Sequence, residues 1–276
     1  MQRIELDIPL AQQPDIEAQL FELGIHSIST TPDHDTRLIV LCDTTDAWPE
    51  DIYTYIHHQV DIPETDWVNQ WIESYEGIHI SDHLSIRPTN TTPPASDTGL
   101  IIWLDPKDAF GSGTHPTTHL CLDALDTYLR TIPSHQLQAM TMLDVGAGTG
   151  VLSILATKRG VGCVHAIDIE PDSVSQTIVN ATLNNCTTIT AEQGDILRWT
   201  SPPATYDIII ANVITNVLLE TIPHLLNALR LHGRLILSGM LAQNMPIVAN
   251  KLDQLGQSST SITQDSWCAL IVDLNK

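Results

Sequence analysis

The sequence predicts an α/β protein. It has a doubly wound, mostly parallel sheet with an antiparallel C-terminal edge, preceded by a small α+β unit. Three observations predict this. From about residue 101 onward, short apolar strands alternate with helices, the pattern of a parallel sheet covered on both faces. The tail "SSTSITQDSWCALIVDL" carries two strands in succession with no helix between them, which places an antiparallel pair at the sheet edge. Near the N-terminus, "QRIELDIP" (residues 2–9) alternates apolar and polar residues, as a half-buried strand does.

In the first unit, expected to span residues 1–60, Asp15 caps the helix "IEAQLFELG". Ile16, Leu20 and Leu23 stand there at helical spacing, and Gly24 is the stop. "HSISTT" and "RLIVLCD" read as strands, and "PEDIYTYIHHQV" as a second helix with Pro49 near its start. A linker at 61–78 contains "DWVNQWIESYE", a short helix with Trp67, Trp71 and Tyr75 on one face. Residues 79–276 form the larger domain. "IHISDHLSIRP" reads as a hairpin and "TNTTPPASDTG" as a loop. "TMLDVGAGTG", "CVHAIDIE", "TTITAEQGD", "YDIIIANVI" and "GRLILSGM" supply strands. "VLSILATKRG", "PDSVSQTIVNATLNN" and "VLLETIPHLLNALRLHG" supply the helices between them.

The chain has 276 residues, 42% of them hydrophobic, and no apolar run approaches the roughly 18–20 residues of a membrane span. The start "MQRIELDIPL" lacks the charged, apolar and small-residue succession of a signal peptide. A cytoplasmic, membrane-free protein is expected. The five cysteines form no CxxC pair, so neither a disulfide framework nor a zinc site is expected. A net charge of −21 argues against direct nucleic-acid binding and is compatible with a basic protein partner.

The chemistry concentrates at strand ends. "LDVGAGTG" (143–150) places Gly146, Gly148 and Gly150 directly after a strand, where a ligand can approach backbone without meeting a Cβ. A dinucleotide fingerprint would want its third glycine at position 151, which is Val151. Asp168 ends the next strand, where a carboxylate in doubly wound folds accepts from ribose hydroxyls; Glu170 competes for that role. Asp195, in "EQGD", could meet an adenine amine or simply close a turn. Asn212 ends the apolar strand "DIIIAN" with an amide that both donates and accepts. Upstream, "AFGSGTHPTT" combines glycines with hydroxyls ahead of a helix, as a loop that wraps a ligand does. His115 is better suited to a structural role there than to acting as a base, because Pro116 follows it.

"DPKDAFGSGTHPTTHLCLDAL", "LDVGAGTGVLSI", "AIDIEPDSV", "IIANVI" and "LSGMLAQ", taken with "DWVNQWIESY", resemble the ribosomal protein L11 methyltransferases, a family of class I S-adenosylmethionine-dependent methyltransferases. The resemblance covers nearly the whole chain and is weakest in the first sixty residues. It implies a Rossmann-like class I methyltransferase sheet, S-adenosyl-L-methionine as donor, and ribosomal protein L11 as protein substrate. Methylation would fall on the N-terminal α-amine and lysine ε-amines. The resemblance also implies an N-terminal domain that recognises the substrate, a linker helix and a catalytic domain. Donor contacts fall on Thr118, Gly146, Asp168 and Asn212, with Gly148 in the glycine turn; Phe110, Gly111 and Gly113 lie in the covering loop. No residue is assigned as a base and no metal is implied; a monomer is expected. The chain departs from the family at Ala147, where cysteine is frequent, and after Asn212, where "VITN" stands in place of something nearer "ILAG".

Overall fold

The computed structural model describes residues 2–9, 12–23, 25, 27–31, 34–42, 45, 48–61, 77–89, 91–94, 98–105, 113 and 115–274. The chain divides into two compact units, Met1–Ser74 and Tyr75–Lys276. The expected linker helix at 66–76 lies outside the described residues, as do Phe110 and Gly111.

In the first unit, β1 (Gln2–Asp7), β2 (Ser27–Thr31), β3 (His34–Cys42) and β4 (Ile56–Asp61) form a sheet in the order β2-β3-β1-β4. Every pairing in it is antiparallel. Helix α1 (Gln13–Glu22) sets Ile16 and Leu20 against Ile4, Leu6, Leu38 and Val40, whereas Leu23 is 41% exposed. The helix expected from Pro49 onward is instead a 3-10 turn, Ile52–Tyr55, running into β4. Its sequence, IYTYIHHQV, is rich in β-branched and aromatic residues. The open edge of β1 offers hydrogen bonds along its length, and Gln2 through Leu6 pair with Asp61 through Ile56. Ladder formation outweighs a helical spacing by which Ile52 is buried in the core and Tyr55 and Ile56 pack partly against it.

In the second unit, β5 (Ile78–Ser81) and β6 (Leu84–Pro88) form the expected hairpin, and β7 (Leu100–Leu104) joins β6 in parallel. Next come α2 (Pro116–Arg130), α3 (Ser134–Leu137), β8 (Thr141–Val145), α4 (Val151–Arg159), β9 (Cys163–Asp168), α5 (Pro171–Leu183) and β10 (Ile189–Gln193). They are followed by β11 (Tyr206–Asn212), α6 (Thr215–Ala228), β12 (Leu229–Leu241), α7 (Met245–Gln254), β13 (Thr260–Gln264) and β14 (Trp267–Asp273). The large sheet runs β10-β9-β8-β11-β12-β14-β13. Strands β8 to β12 pair in parallel, and β14 is antiparallel to both β12 and β13.

Alternation along the central strands sorts the core into two layers. Met142, Ile208, Ile210 and Ile236 pack with Leu122, Leu125, Ile154 and Leu155 of α2 and α4. Leu143, Val145, Ile209 and Leu237 face the other way, toward Leu218, Ile222, Val248 and Leu252 of α6 and α7. Both faces are therefore covered, and the strands read as nearly continuous apolar runs.

Helix α6 stops at Ala228, five residues before the expected glycine, and "LRLHG" begins β12. Leu229 pairs with Tyr206, and the Arg230 Nη1 donates to Asp207 Oδ2 at 2.6 Å. His232 then bends the chain at φ 67°. Sheet pairing and an ion pair thus claim residues whose leucine spacing also suits a helix.

Strand order reverses between β8 and β11. That switch point, at the carboxyl ends of these strands, is the place where open α/β sheets bind ligands. Among the described residues, no helix is long and apolar enough to cross a membrane.

Candidate functional site

The chain leaves β8 at Val145 and turns through Gly146, Gly148 and Gly150, all with positive φ. Gly146 N donates to Ile167 O at 2.8 Å, so the turn hangs on the end of β9. Gly146 has φ 71°, and a Cβ there would lie 2.6 Å from Val213 Cγ1. A side chain is therefore excluded both by backbone conformation and by contact.

Asp168 stands at the end of β9 with both oxygens oriented. Oδ2 accepts from Gly148 N at 2.8 Å and Oδ1 from Glu170 N at 3.0 Å. A carboxylate offers about four lone-pair sites, so each oxygen keeps acceptor capacity for a ligand. Glu170, the competitor, is exposed and makes no side-chain capping bond at the start of α5. Asp195 takes the turn-closing option: Oδ1 accepts from Leu197 N at 3.0 Å and Oδ2 faces Arg198 Nε at 3.3 Å.

On the other side of β8, Asn212 ends β11 and is buried. Its Nδ2 reaches Thr118 Oγ1 at 3.4 Å, a long contact, and its Oδ1 has no partner among the described residues. Thr118 lies in the first turn of α2. His115 caps that helix, accepting from Thr117 N at 3.3 Å while its ring meets Trp267 edge-on at 4.5 Å. The imidazole thus holds the helix start, in keeping with a structural role. Gly113 is buried against Ile86 and Ile78.

Asp144 is 0% exposed and points toward α4, where Ser153 donates to its Oδ2 from N at 3.1 Å and from Oγ at 2.6 Å. Its Oδ1 has no partner among the described residues. Burial pushes this carboxyl up to about 6; the Ser153 bonds oppose the rise and the nearby Asp168 charge adds to it. Asp144 and Asn212 project toward the α2/α4 layer from adjacent strands, Asp144 being paired with Ile210. Two buried oxygens with unused acceptor capacity and an oriented carboxylate thus stand on β8, β11 and β9, at or near the strand ends that flank the glycine turn.

Residues 8–275 match the family described as ribosomal protein L11 methyltransferase (PrmA). The chain belongs to this family. It is 36% identical over 202 residues to the ribosomal protein L11 methyltransferase of Geotalea uraniireducens, an alignment covering 71% of this chain and 64% of that protein. It is 35% identical over 214 residues to that of Geobacillus kaustophilus, covering 76% and 66%. The chain thus spans somewhat under two thirds of the Geotalea relative's length. A crystal structure of ribosomal protein L11 methylase from Lactobacillus delbrueckii subsp. bulgaricus superimposes with a TM-score of 0.65 at 30% identity, covering 73% of this chain and all of that one. The fold is that of class I S-adenosylmethionine-dependent methyltransferases.

The structure gathers Gly146, Gly148 and Asp168 into one hydrogen-bonded group and Thr118 with Asn212 into another. Four features of the site escape a reading of the sequence, wholly or in part. Asp144 is legible as the acidic strand end ahead of the glycines, but its burial and its bonds to Ser153 are not. Ile169, beside Asp168, is 59% exposed, an apolar surface that only its position between two acids hints at. Gly239, in "LSGM", has φ 87°, and a Cβ there would lie 2.3 Å from Val213 O. It therefore lets β12 approach the chain just past Asn212. The amides of α5 form the fourth feature.

Proposed function

We propose that the chain is a protein N-methyltransferase that takes methyl groups from S-adenosyl-L-methionine and places them on the N-terminal α-amine and lysine ε-amines of ribosomal protein L11. The observation that carries the reading is the Asp168 carboxylate, fixed at both oxygens by backbone N–H groups at the end of β9. A carboxylate oriented in this way suits a ribose diol, and the family to which the chain belongs is named for methylation of ribosomal protein L11.

The residues present fit the donor. The turn at Gly146, Gly148 and Gly150, all at positive φ, presents bare backbone beside Asp168. The unpartnered Oδ1 atoms of Asp144 and Asn212 favour a cationic or N–H-bearing ligand over an anionic one. Asp168 would hold the ribose, Gly146 and Gly148 the backbone-facing edge, and Thr118 and Asn212 the amino-acid end. The exposed face of Ile169 offers apolar area for the base. Phe110 would act in the loop that closes over the donor.

An electrophilic methyl group on a sulfonium is the chemistry the donor supplies. The residues around it contribute mainly position, which can account for much of a rate enhancement. The incoming amine must be neutral, and a free lysine near pKa ~10.4 is almost wholly protonated at pH 7. Desolvation at the crevice lowers that value. Asn212 Oδ1 can accept one N–H of the amine and so orient its lone pair. The side chain of an asparagine does not take the proton, which passes to water.

Residues 1–60 serve substrate recognition in this reading, 61–78 connect, and 79–276 carry the donor. The net charge of −21 matches a basic ribosomal protein and disfavours direct contact with nucleic acid. A cytoplasmic monomer completes the proposal. Incubating the chain with methyl-labelled donor and unmodified L11 is expected to transfer label to L11. Donor binding with no label on L11 would remove the substrate and keep the donor site.

A further inference from the structure

Helix α5 carries a row of buried amides where an apolar stripe would ordinarily lie. Gln176, Asn180 and Asn184, the last being its C-cap, stand four residues apart on one face, and all are buried. They face the free edge of β7. Asn184 Oδ1 accepts from Trp103 N at 3.0 Å, and its Nδ2 donates to Trp103 O at 2.6 Å. Asn180 Oδ1 accepts from Asp105 N at 2.8 Å, and Gln176 Nε2 donates to Asp105 O at 2.7 Å. Residues 103 and 105 present their backbone groups on the same side of the strand. An amide pairs donor with acceptor as a backbone does, so the row stands where, among the described residues, β7 has no neighbouring strand.

Asn180 differs from its two neighbours in also reaching the glycine turn. Its Nδ2 also donates to Thr149 O at 2.9 Å, inside the glycine turn. One residue-turn away, Thr177 Oγ1 donates to Gly148 O at 2.9 Å. The same side chain therefore binds the end of β7, from which the chain enters the segment preceding "FGSGTHPTT", and the turn whose Gly148 N orients Asp168. We infer that Asn180 is a positioning residue for the donor. Without touching the donor, it fixes the glycine turn against β7, so that Gly148 N presents the Asp168 carboxylate in its binding orientation. This inference rests on the donor site proposed above.

The test compares two truncations that remove similar numbers of bonds. Asn180→Ala loses the bonds to Asp105 and to the turn; Asn184→Ala loses the two bonds to Trp103 and one to Asn180 O, and leaves the turn alone. Binding of S-adenosylhomocysteine is measured by calorimetry and thermal unfolding is followed alongside. Both variants are expected to melt a few degrees lower. Only Asn180→Ala is expected to weaken binding, by roughly tenfold or more, the equivalent of one to two lost hydrogen bonds. In turnover, its KM for the donor should rise while its KM for L11 stays at the wild-type value. If Asn180→Ala does not fold, Thr177→Val carries the same expectation, since it removes only the bond to Gly148 O. Equal affinity losses in the Asn180 and Asn184 variants, or none in either, would overturn the inference while wild-type binding keeps the donor site intact. A wild-type protein that fails to bind S-adenosylhomocysteine would instead overturn the donor site itself, and the inference with it.

Discussion

Asp168→Ala is expected to weaken binding of S-adenosylhomocysteine at least a hundredfold. Two hydrogen bonds from ligand hydroxyls to a charged acceptor are worth about 1.5–3 kcal/mol each, and about 1.4 kcal/mol is tenfold in affinity. The effect on folding should be smaller. Asp168 is only half-buried, and its bonds to Gly148 N and Glu170 N lie at the surface end of β9, where water can replace it. Asp168→Asn separates orientation from charge. An asparagine can accept from Gly148 N with its oxygen, but it then presents an NH2 group to Glu170 N, donor against donor. Calorimetric titration of both variants checks this. Wild-type affinity in Asp168→Ala would refute the ribose role outright.

Asp144→Asn is expected to move stability and donor affinity in opposite directions. Burial raises the Asp144 carboxyl from 3.8 to about 6, so the folded state holds its proton more tightly than the unfolded chain does. The stabilisation from that proton is fully present below pH 3.8 and is lost as pH rises through about 6. At neutral pH the fold therefore carries an ionised, buried carboxylate at a cost on the order of 3 kcal/mol. An asparagine can still accept from Ser153 with its oxygen, and it removes the charge. Asp144→Asn should thus be more stable than wild type at pH 7 and close to it at pH 4, as read from thermal unfolding at the two values. A cationic donor favours the ionised form, so wild-type affinity should fall as pH drops below about 6, with proton uptake by the free protein. The variant should bind more weakly at pH 7 and lose that pH dependence. Loss of stability at pH 7 together with unchanged donor affinity would contradict this account of Asp144.

The parts of the candidate site that sequence alone proposes are those whose chemistry is local. Gly146, Gly148, Asp168 and Asn212 each follow an apolar strand directly, and small or polar residues at a strand's carboxyl end mark the ligand edge of an open sheet. The parts that could not be read depend on partners far along the chain. Asn180 and Asn184 sit in a helix whose amides look like a solvated face. Their partners Trp103, Asp105 and Thr149 lie 31–81 residues away. Asp144 stands out in the sequence as an acidic strand end, but its burial and the missing partner of Oδ1 among the described residues do not. The same reasoning covers β4. The spacing of "PEDIYTYIHHQV" allows a helix, and the free edge of β1, a tertiary fact, decides for a strand. At the α6–β12 boundary, leucines from 225 to 231 suit either element, and pairing of Leu229 with Tyr206 settles the change.

The central claim is that the crevice at the ends of β8 and β9 holds the methyl donor by its ribose. A crystal structure of the chain with S-adenosylhomocysteine tests it most directly. The account predicts both ribose hydroxyls on the Asp168 carboxylate, with the amino-acid end lying over the Gly146 turn toward Thr118 and Asn212. A saturated crystal with that crevice empty, or with the nucleoside bound away from Asp168, would contradict it.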